Sequence, residues 1–192
     1  MNSAVRDISI ISEVSADDFR NAMRRLTGGV SVITAGRGRD ISGMTVTSVA
    51  SLSVEPPALI VSVNRDASSW PLIRRHGFFG VNILNADQLD IAERFAGKGG
   101  LKGAARFAGT DWFTRASGVP LLAGALAAID CEVEEVVERH SHAIVIGRVL
   151  DLQVSARSAA LAYWHGQYLA IDRDEDAARL AEVSVPPPRF CR

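Results

Sequence analysis

The chain has 192 residues, 47% of them hydrophobic, and a formal net charge of -1. That length fits one domain with or without a tail, and the apolar fraction supports a sizeable core. Near neutrality gives no electrostatic reason to expect nucleic acid or a membrane surface as partner, and no apolar run is long enough for a transmembrane helix.

The N-terminal stretch lacks the long apolar core of a signal peptide, and Cys131 and Cys191 form no CxxC pattern. A reduced, cytoplasmic protein is the expectation. The first helix is expected from Ser15, a capping residue with Asp18 three positions on; Phe19, Ala22, Met23 and Leu26 share a face, and Gly28 and Gly29 stop it. A strand over 30–35 and a turn over 36–40 follow. Then "SGMTVTSVASLSVEPP", residues 42–57, reads as a strand of period two. Met44, Val46, Ala50, Leu52 and Val54 fall on one side and Thr45, Thr47, Ser51 and Ser53 on the other, while Ser48 and Val49 exchange sides midway. Segments 30–35 and 41–50 therefore read as a hairpin. Its uncharged row of hydroxyls is as consistent with a packed or solvated strand as with a ligand surface.

A buried strand is expected over 56–64, a short helix over 67–77 capped by Ser68 or Ser69 and closed by Gly77, a second buried strand over 78–84, and a helix over 85–100 ending at Gly97. Residues 101–125 look irregular. Strands follow over 126–138 and 142–154, and 160–171 is strand-like with a glycine turn. The count is six or seven strands and two or three short helices. Without βαβ alternation, a mainly β fold with helical additions is expected, an antiparallel small closed barrel. The division is an N-terminal extension over 1–15, one domain over 16–172 and a tail over 173–192.

Several signatures are missing: Walker A, HExxH and GxSxG. "AGRGRD" lacks the third glycine of a dinucleotide fingerprint and sits in a hairpin turn, so a nicotinamide would have to bind without that fold. His140 and His142, two apart, would share a strand face and could begin a metal site with His165, but further ligands are scarce; a bland surface or core pair is the commoner reading. "SVNRDASSWP" gathers Ser62, Asn64, Arg65, Ser68 and Ser69. Serines at a helix N-terminus stand where free N–H groups attract phosphate, and Arg65 offers a forked donor. Asn82, inside "FFGVNIL", is a buried amide needing partners. Uncharged donors and acceptors beside one phosphate cradle suit a flat heterocycle with a polyol phosphate tail.

On "TGGVSVITA", "GMTVTSVASLSVEPPALIVSVN", "NRDASSWPLI", "FFGVNIL", "RFAGK", "HAIVIGRV" and "LAYWHGQY", the chain resembles the short-chain flavin reductase family. This is the FMN-binding split-barrel group that includes reductase components of two-component aromatic monooxygenases. The resemblance implies a flavin reductase-like antiparallel split β-barrel that reduces FMN or FAD with NADH or NADPH and supplies diffusible reduced flavin to a separate monooxygenase. It also implies a homodimer. By resemblance, Met44, Thr45, Val46, Thr47 and Ser48 meet the isoalloxazine and ribityl groups, with Ser62 and Asn64 nearby. Ser68 and Ser69 lie near the phosphate, Asn82 buttresses the site, and Phe95, Lys98 and Arg106 lie near the phosphate or an adenine. His142 matches a family histidine at the nicotinamide side, and Tyr168 lies in the matching final strand. Many members have Gly-Asp-His where this chain has His140-Ser141-His142. Two rival readings are a flavin-binding protein that keeps a prosthetic flavin without fast turnover, and a small metal-dependent barrel enzyme using His140, His142 and His165.

Overall fold

The computed structural model describes residues 13–172, together with 175 and 179. The expected extension and tail therefore lie largely outside the described residues, as does Cys191. In chain order the elements are α1 (Ala16–Met23), β1 (Gly28–Gly29), β2 (Ser31–Arg37), β3 (Asp40–Val46), β4 (Val49–Val54), β5 (Pro57–Asn64), α2 (Trp70–His76) and β6 (Phe78–Ile83). There follow α3 (Leu89–Phe95), a 3-10 turn (Gly103–Phe107), β7 (Trp112–Phe113), β8 (Leu121–Leu122), β9 (Ala127–Arg139), β10 (His142–Val154), β11 (Ala159–Trp164) and β12 (Gln167–Asp172). No helix among the described residues is long and apolar enough to cross a membrane.

Seven strands form one antiparallel sheet in the order β3-β2-β6-β9-β10-β5-β4. Its two edge strands are consecutive in the chain, joined only by Thr47 and Ser48. A flat sheet of that order would hold its edges six strand spacings apart, about 29 Å. Three peptide steps from Val46 to Val49 reach about 11 Å at most. The sheet must curl until its edges nearly meet, yet β3 and β4 share no ladder among the described residues. The fold is an antiparallel split β-barrel.

This overturns the single strand expected over 42–57. Ser48 and Val49 exchange sides because the chain leaves one edge there and enters the other. β3 pairs with β2, and β4 with β5.

The barrel interior holds Ile33, Met44, Val61, Val63, Phe79, Val81 and Val145, and α2 adds Trp70, Leu72 and Ile73 to that core. A second core lies between β2, α3 and the later hairpin, with Val30, Val32, Leu84, Ile91, Phe95, Phe107 and Leu161. Because β2 is covered on both sides, it is buried from Ser31 to Gly36 without alternation.

Other expectations also change. Described strands number twelve rather than six or seven: the stretches 42–57 and 160–171 each hold two strands, and three short strands were unexpected, β7 and β8 pairing within 101–125 and β1 pairing with β11. The helix expected over 85–100 is confined to Leu89–Phe95. Asn85 bridges to Ala160, accepts the Ala86 N–H at 2.7 Å, and has its own N–H held by Gln88 Oε1 at 3.0 Å, which makes a turn of that stretch. Ser15 does cap α1, its hydroxyl accepting the Asp18 N–H at 3.0 Å. Ser69 stands at the N-cap of α2, its carbonyl accepting the Ile73 N–H at 3.0 Å, but its backbone angles are helical and its hydroxyl makes no capping bond. No residue of α1 is buried, and Phe19 on its apolar face is 62% exposed.

Candidate functional site

Three adjoining clefts run along β3 and the residues after it. The largest, about 470 Å³, lies between Gly43–Thr45, the loop from Asn64 to Ser68, the end of α3 at Phe95 and Ala96, and Lys102 with Arg106. The second, about 220 Å³, shares Thr45 and Ala96 with it and adds Val30, Val46, Thr47, Tyr163 and Tyr168. A third, about 280 Å³, shares Thr47 and Tyr163 with the second and adds Gly28, Arg24 and His165 among its walls. Together they make one groove of ligand-binding size.

Close approach shapes its walls. A Cβ on Gly43 would stand 2.7 Å from Ile33 O and 2.8 Å from Phe95 Cε1, so only glycine lets the Phe95 ring lie on β3 there. Phe95 is locked in turn by Phe107 and Trp112, with ring centroids 5.0 and 5.6 Å away. A Cβ on Gly28 would come within 2.9 Å of the Thr47 Cβ, so β1 approaches the barrel seam through the absence of a side chain.

The hydroxyl row divides among several tasks. Thr45 donates to Ala92 O at 2.6 Å and ties β3 to α3. Ser48 donates to Ser62 O at 2.8 Å and fastens the link between the edge strands to β5. Thr47 is exposed and lines two of the clefts. Ser51 and Ser53, on β4, line a separate apolar cleft of about 340 Å³. Burial, and then neighbouring Tyr163 and Glu93, push the Tyr168 phenol above its ordinary value, so it faces the groove as a neutral hydroxyl.

A family model described as flavin reductase like domain matches residues 23–172. This chain belongs to the flavin reductase like domain family. It is 36% identical over 162 residues to the FMN reductase (NADH) RutF 2 of Methylorubrum extorquens, covering 84% of this chain and 93% of that protein. It is 32% identical over 176 residues to HsaB of Rhodococcus jostii, the reductase subunit of a flavin-dependent monooxygenase, covering 91% of this chain and 88% of that one. Among solved structures it is similar to BorF, the flavin reductase component of a bacterial two-component tryptophan halogenase, with TM-score 0.76, 31% identity, and coverage of 82% of this chain and 99% of that one.

Within this flavin reductase fold, Met44, Thr45, Asn64, Ser68, Phe95 and Arg106 come together in the largest cleft, and Val46, Thr47 and Tyr168 in its neighbour. Ser48 and Ser62 meet each other at the seam rather than in a cleft wall. Ser69 is fully buried with its hydroxyl unpartnered. Asn82 is also fully buried, donating to Val32 O at 3.0 Å and accepting the Leu122 N–H at 2.6 Å; it holds β8 onto the sheet. Lys98 bonds Glu93 at 2.7 Å and lines none of the three clefts. Gly43, Asp66, Ala67, Ala96, Lys102 and Tyr163 are cleft residues that sequence reasoning missed. Tyr163 had a signal, since it stands opposite Tyr168 in the final hairpin, their rings 5.1 Å apart.

The histidines are not arranged as expected. His140 lies in the two-residue turn between β9 and β10 with φ of 50°, so it does not share a strand face with His142. His165 sits in the turn of the β11–β12 hairpin. Among the described residues no three His, Cys, Asp or Glu side chains gather as a metal site. Arg65 also differs from an outward anion donor. Its guanidinium donates to His140 O at 3.0 Å and pairs with Glu138 at 2.9 Å, clamping that turn to the cleft loop.

Proposed function

We propose that this chain is a flavin reductase that oxidises NADH or NADPH, reduces FMN or FAD, and releases reduced flavin to a separate flavin-dependent monooxygenase. The observation that carries the reading is the groove along β3. It has apolar and backbone surface at Met44–Val46, neutral hydroxyls at Thr47 and Tyr168, and cations at the Lys102–Arg106 end. That donor set fits a flat heterocycle with a polyol and an anionic tail. When bound, the flavin supplies the electron acceptor for a nicotinamide hydride. The residues of this chain orient the two rings and exclude water. Thr47, exposed at the junction of two clefts, and the Tyr168 phenol offer hydrogen bonds along the ring and ribityl chain. Asn64 and His142 border the nicotinamide side.

The relatives whose names specify NADH favour that donor. A homodimer would cover Phe19, Met23 and Leu26, which one copy leaves exposed. The reading places the protein in the cytoplasm, where reduced nicotinamide is supplied, and treats 16–172 as the working domain, with the tail dispensable for folding.

The test is steady-state oxidation of NADH and NADPH with FMN, FAD and riboflavin each varied, beside a visible spectrum of the purified protein. Saturable turnover with added flavin supports the reading. A flavin that stays bound and turns over slowly supports the prosthetic alternative. Neither binding nor turnover in folded protein overturns it.

A further inference from the structure

We propose that Lys102 is the residue by which this chain selects flavins carrying a terminal phosphate. The inference rests on the flavin reductase reading and adds a specificity determinant to it. The largest cleft has two cationic side chains, and they are held differently. Arg106 donates through Nε to Leu101 O at 2.8 Å and through Nη1 to Gly43 O at 2.9 Å and Phe95 O at 3.3 Å. Its guanidinium is fixed to the wall by main-chain carbonyls, which cancel none of its formal charge, and Nη2 has no partner among the described residues. Lys102 lines the same cleft and is exposed, and its ammonium makes no hydrogen bond or ion pair among the described residues. A preset planar donor and a free ammonium are the pair a phosphate monoester recognises.

A neutral donor stands with them. Ser68 Oγ lies 2.7 Å from Ser42 Oγ, and Ser42 is buried while Ser68 is exposed in the cleft. One hydroxyl of such a pair donates to the other. If Ser42 is the donor, the Ser68 proton is free for a ligand oxygen.

The local backbone explains why the second lysine of "GKGGLK" reaches the cleft and the first does not. Gly97, Gly99, Gly100 and Gly103 all have positive φ, between 50° and 102°. The strap winds back on itself, Lys98 remains with Glu93, and Lys102 opens the 3-10 turn that carries Arg106. Asp66 contributes to the same cleft a carboxylate without a partner among the described residues, which confines an anion to the Lys102 and Arg106 side.

The experiment titrates wild type, Lys102→Gln and Lys98→Gln with FMN and with riboflavin, read by flavin fluorescence at low and moderate salt. Loss of one charge-assisted contact should weaken FMN about tenfold or more in Lys102→Gln, while riboflavin stays within about twofold. The preference of wild type for FMN should shrink with added salt. An unchanged ratio of FMN to riboflavin affinity in Lys102→Gln overturns the proposal, as does a larger loss in Lys98→Gln. Wild type that binds neither flavin overturns the flavin reading and this inference with it. Wild type that binds both equally overturns the inference alone.

Discussion

His142 stands directly opposite Asn64 across the β10–β5 ladder, and the N–H of Arg65, the next residue, donates to Ser141 O at 2.9 Å. Directly opposed residues project to one face with Cβ atoms about 5 Å apart. Asn64 lines the largest cleft, and the ladder sets His142 beside Asn64 on the same face. Ser141 Oγ lies 2.9 Å from His142 Nδ1. A neutral hydroxyl can still orient the ring, without an aspartate's charge. His142→Ala is expected to raise KM for NADH about fivefold to tenfold at saturating FMN, the equivalent of roughly one hydrogen bond. Ser141→Ala should move it in the same direction by less. Steady-state kinetics with NADH varied checks this; a change in flavin affinity with unaltered KM for NADH would place His142 elsewhere.

Gly43 sets the distance between β3 and the Phe95 ring. Gly43→Ala must displace that ring or the β2 carbonyl beside it, an overpacking cost of about 1–3 kcal/mol. The expected outcome is a lower Tm together with weaker FMN binding, because Phe95 and Arg106 both rest against this residue. Thermal unfolding and an FMN titration on the same preparation check both halves.

Ser69 offers a contrast between burial and contact. Its fully buried hydroxyl has no partner, so Ser69→Ala removes an unsatisfied polar group, while the Ala side chain fits the same space. Stability should hold or rise by about 1 kcal/mol, with FMN affinity unchanged. Ser69→Asp would bury a carboxylate and should unfold the chain rather than compete with a phosphate. A Tm lowered by more than about 4 °C in Ser69→Ala would show that the hydroxyl has a partner.

Cys131 is the described free thiol, and burial, reinforced by Asp130, pushes its pKa up to about 12. At pH 8 in a Cys191→Ser background it should resist alkylation when folded and react quickly in denaturant. The folded state keeps this proton while the unfolded state loses it near the ordinary thiol value. Stability therefore falls as pH rises from about 9 toward 12, by about 1 kcal/mol for the first unit. Urea midpoints at pH 8 and 10, compared with Cys131→Ala, should show the smaller decline in the variant.

What the sequence made legible was local. Ser15 and Asp18 form a cap from adjacent groups, and the apolar runs of β5 and β6 read as buried strands because both ends carry punctuation. The phase change at Ser48 and Val49 was visible too, but period alone cannot say that a strand has changed partners. The site was legible where it lies on β3. It was hidden where the walls come from elsewhere: Ala96, Lys102 and Tyr163 reach Thr45 and Thr47 only through tertiary packing. Lys98 and Lys102 look alike in sequence, and the positive φ angles between them decide which one turns inward. His140 was misread because strand spacing was extended through a turn whose backbone leaves the extended region.

The two-residue link at Thr47 and Ser48 also acts as a ruler. Both edges of the sheet are pinned by it, and Thr47 lies on two of the clefts. One inserted residue would add about 3.5 Å of slack at the seam while leaving every ladder pairing in place. The width of the groove is thus governed by how many residues cross from β3 to β4, more than by which ones. A flavin reductase barrel with a longer crossing would hold its ligand against a wider opening, with the same strands and the same core.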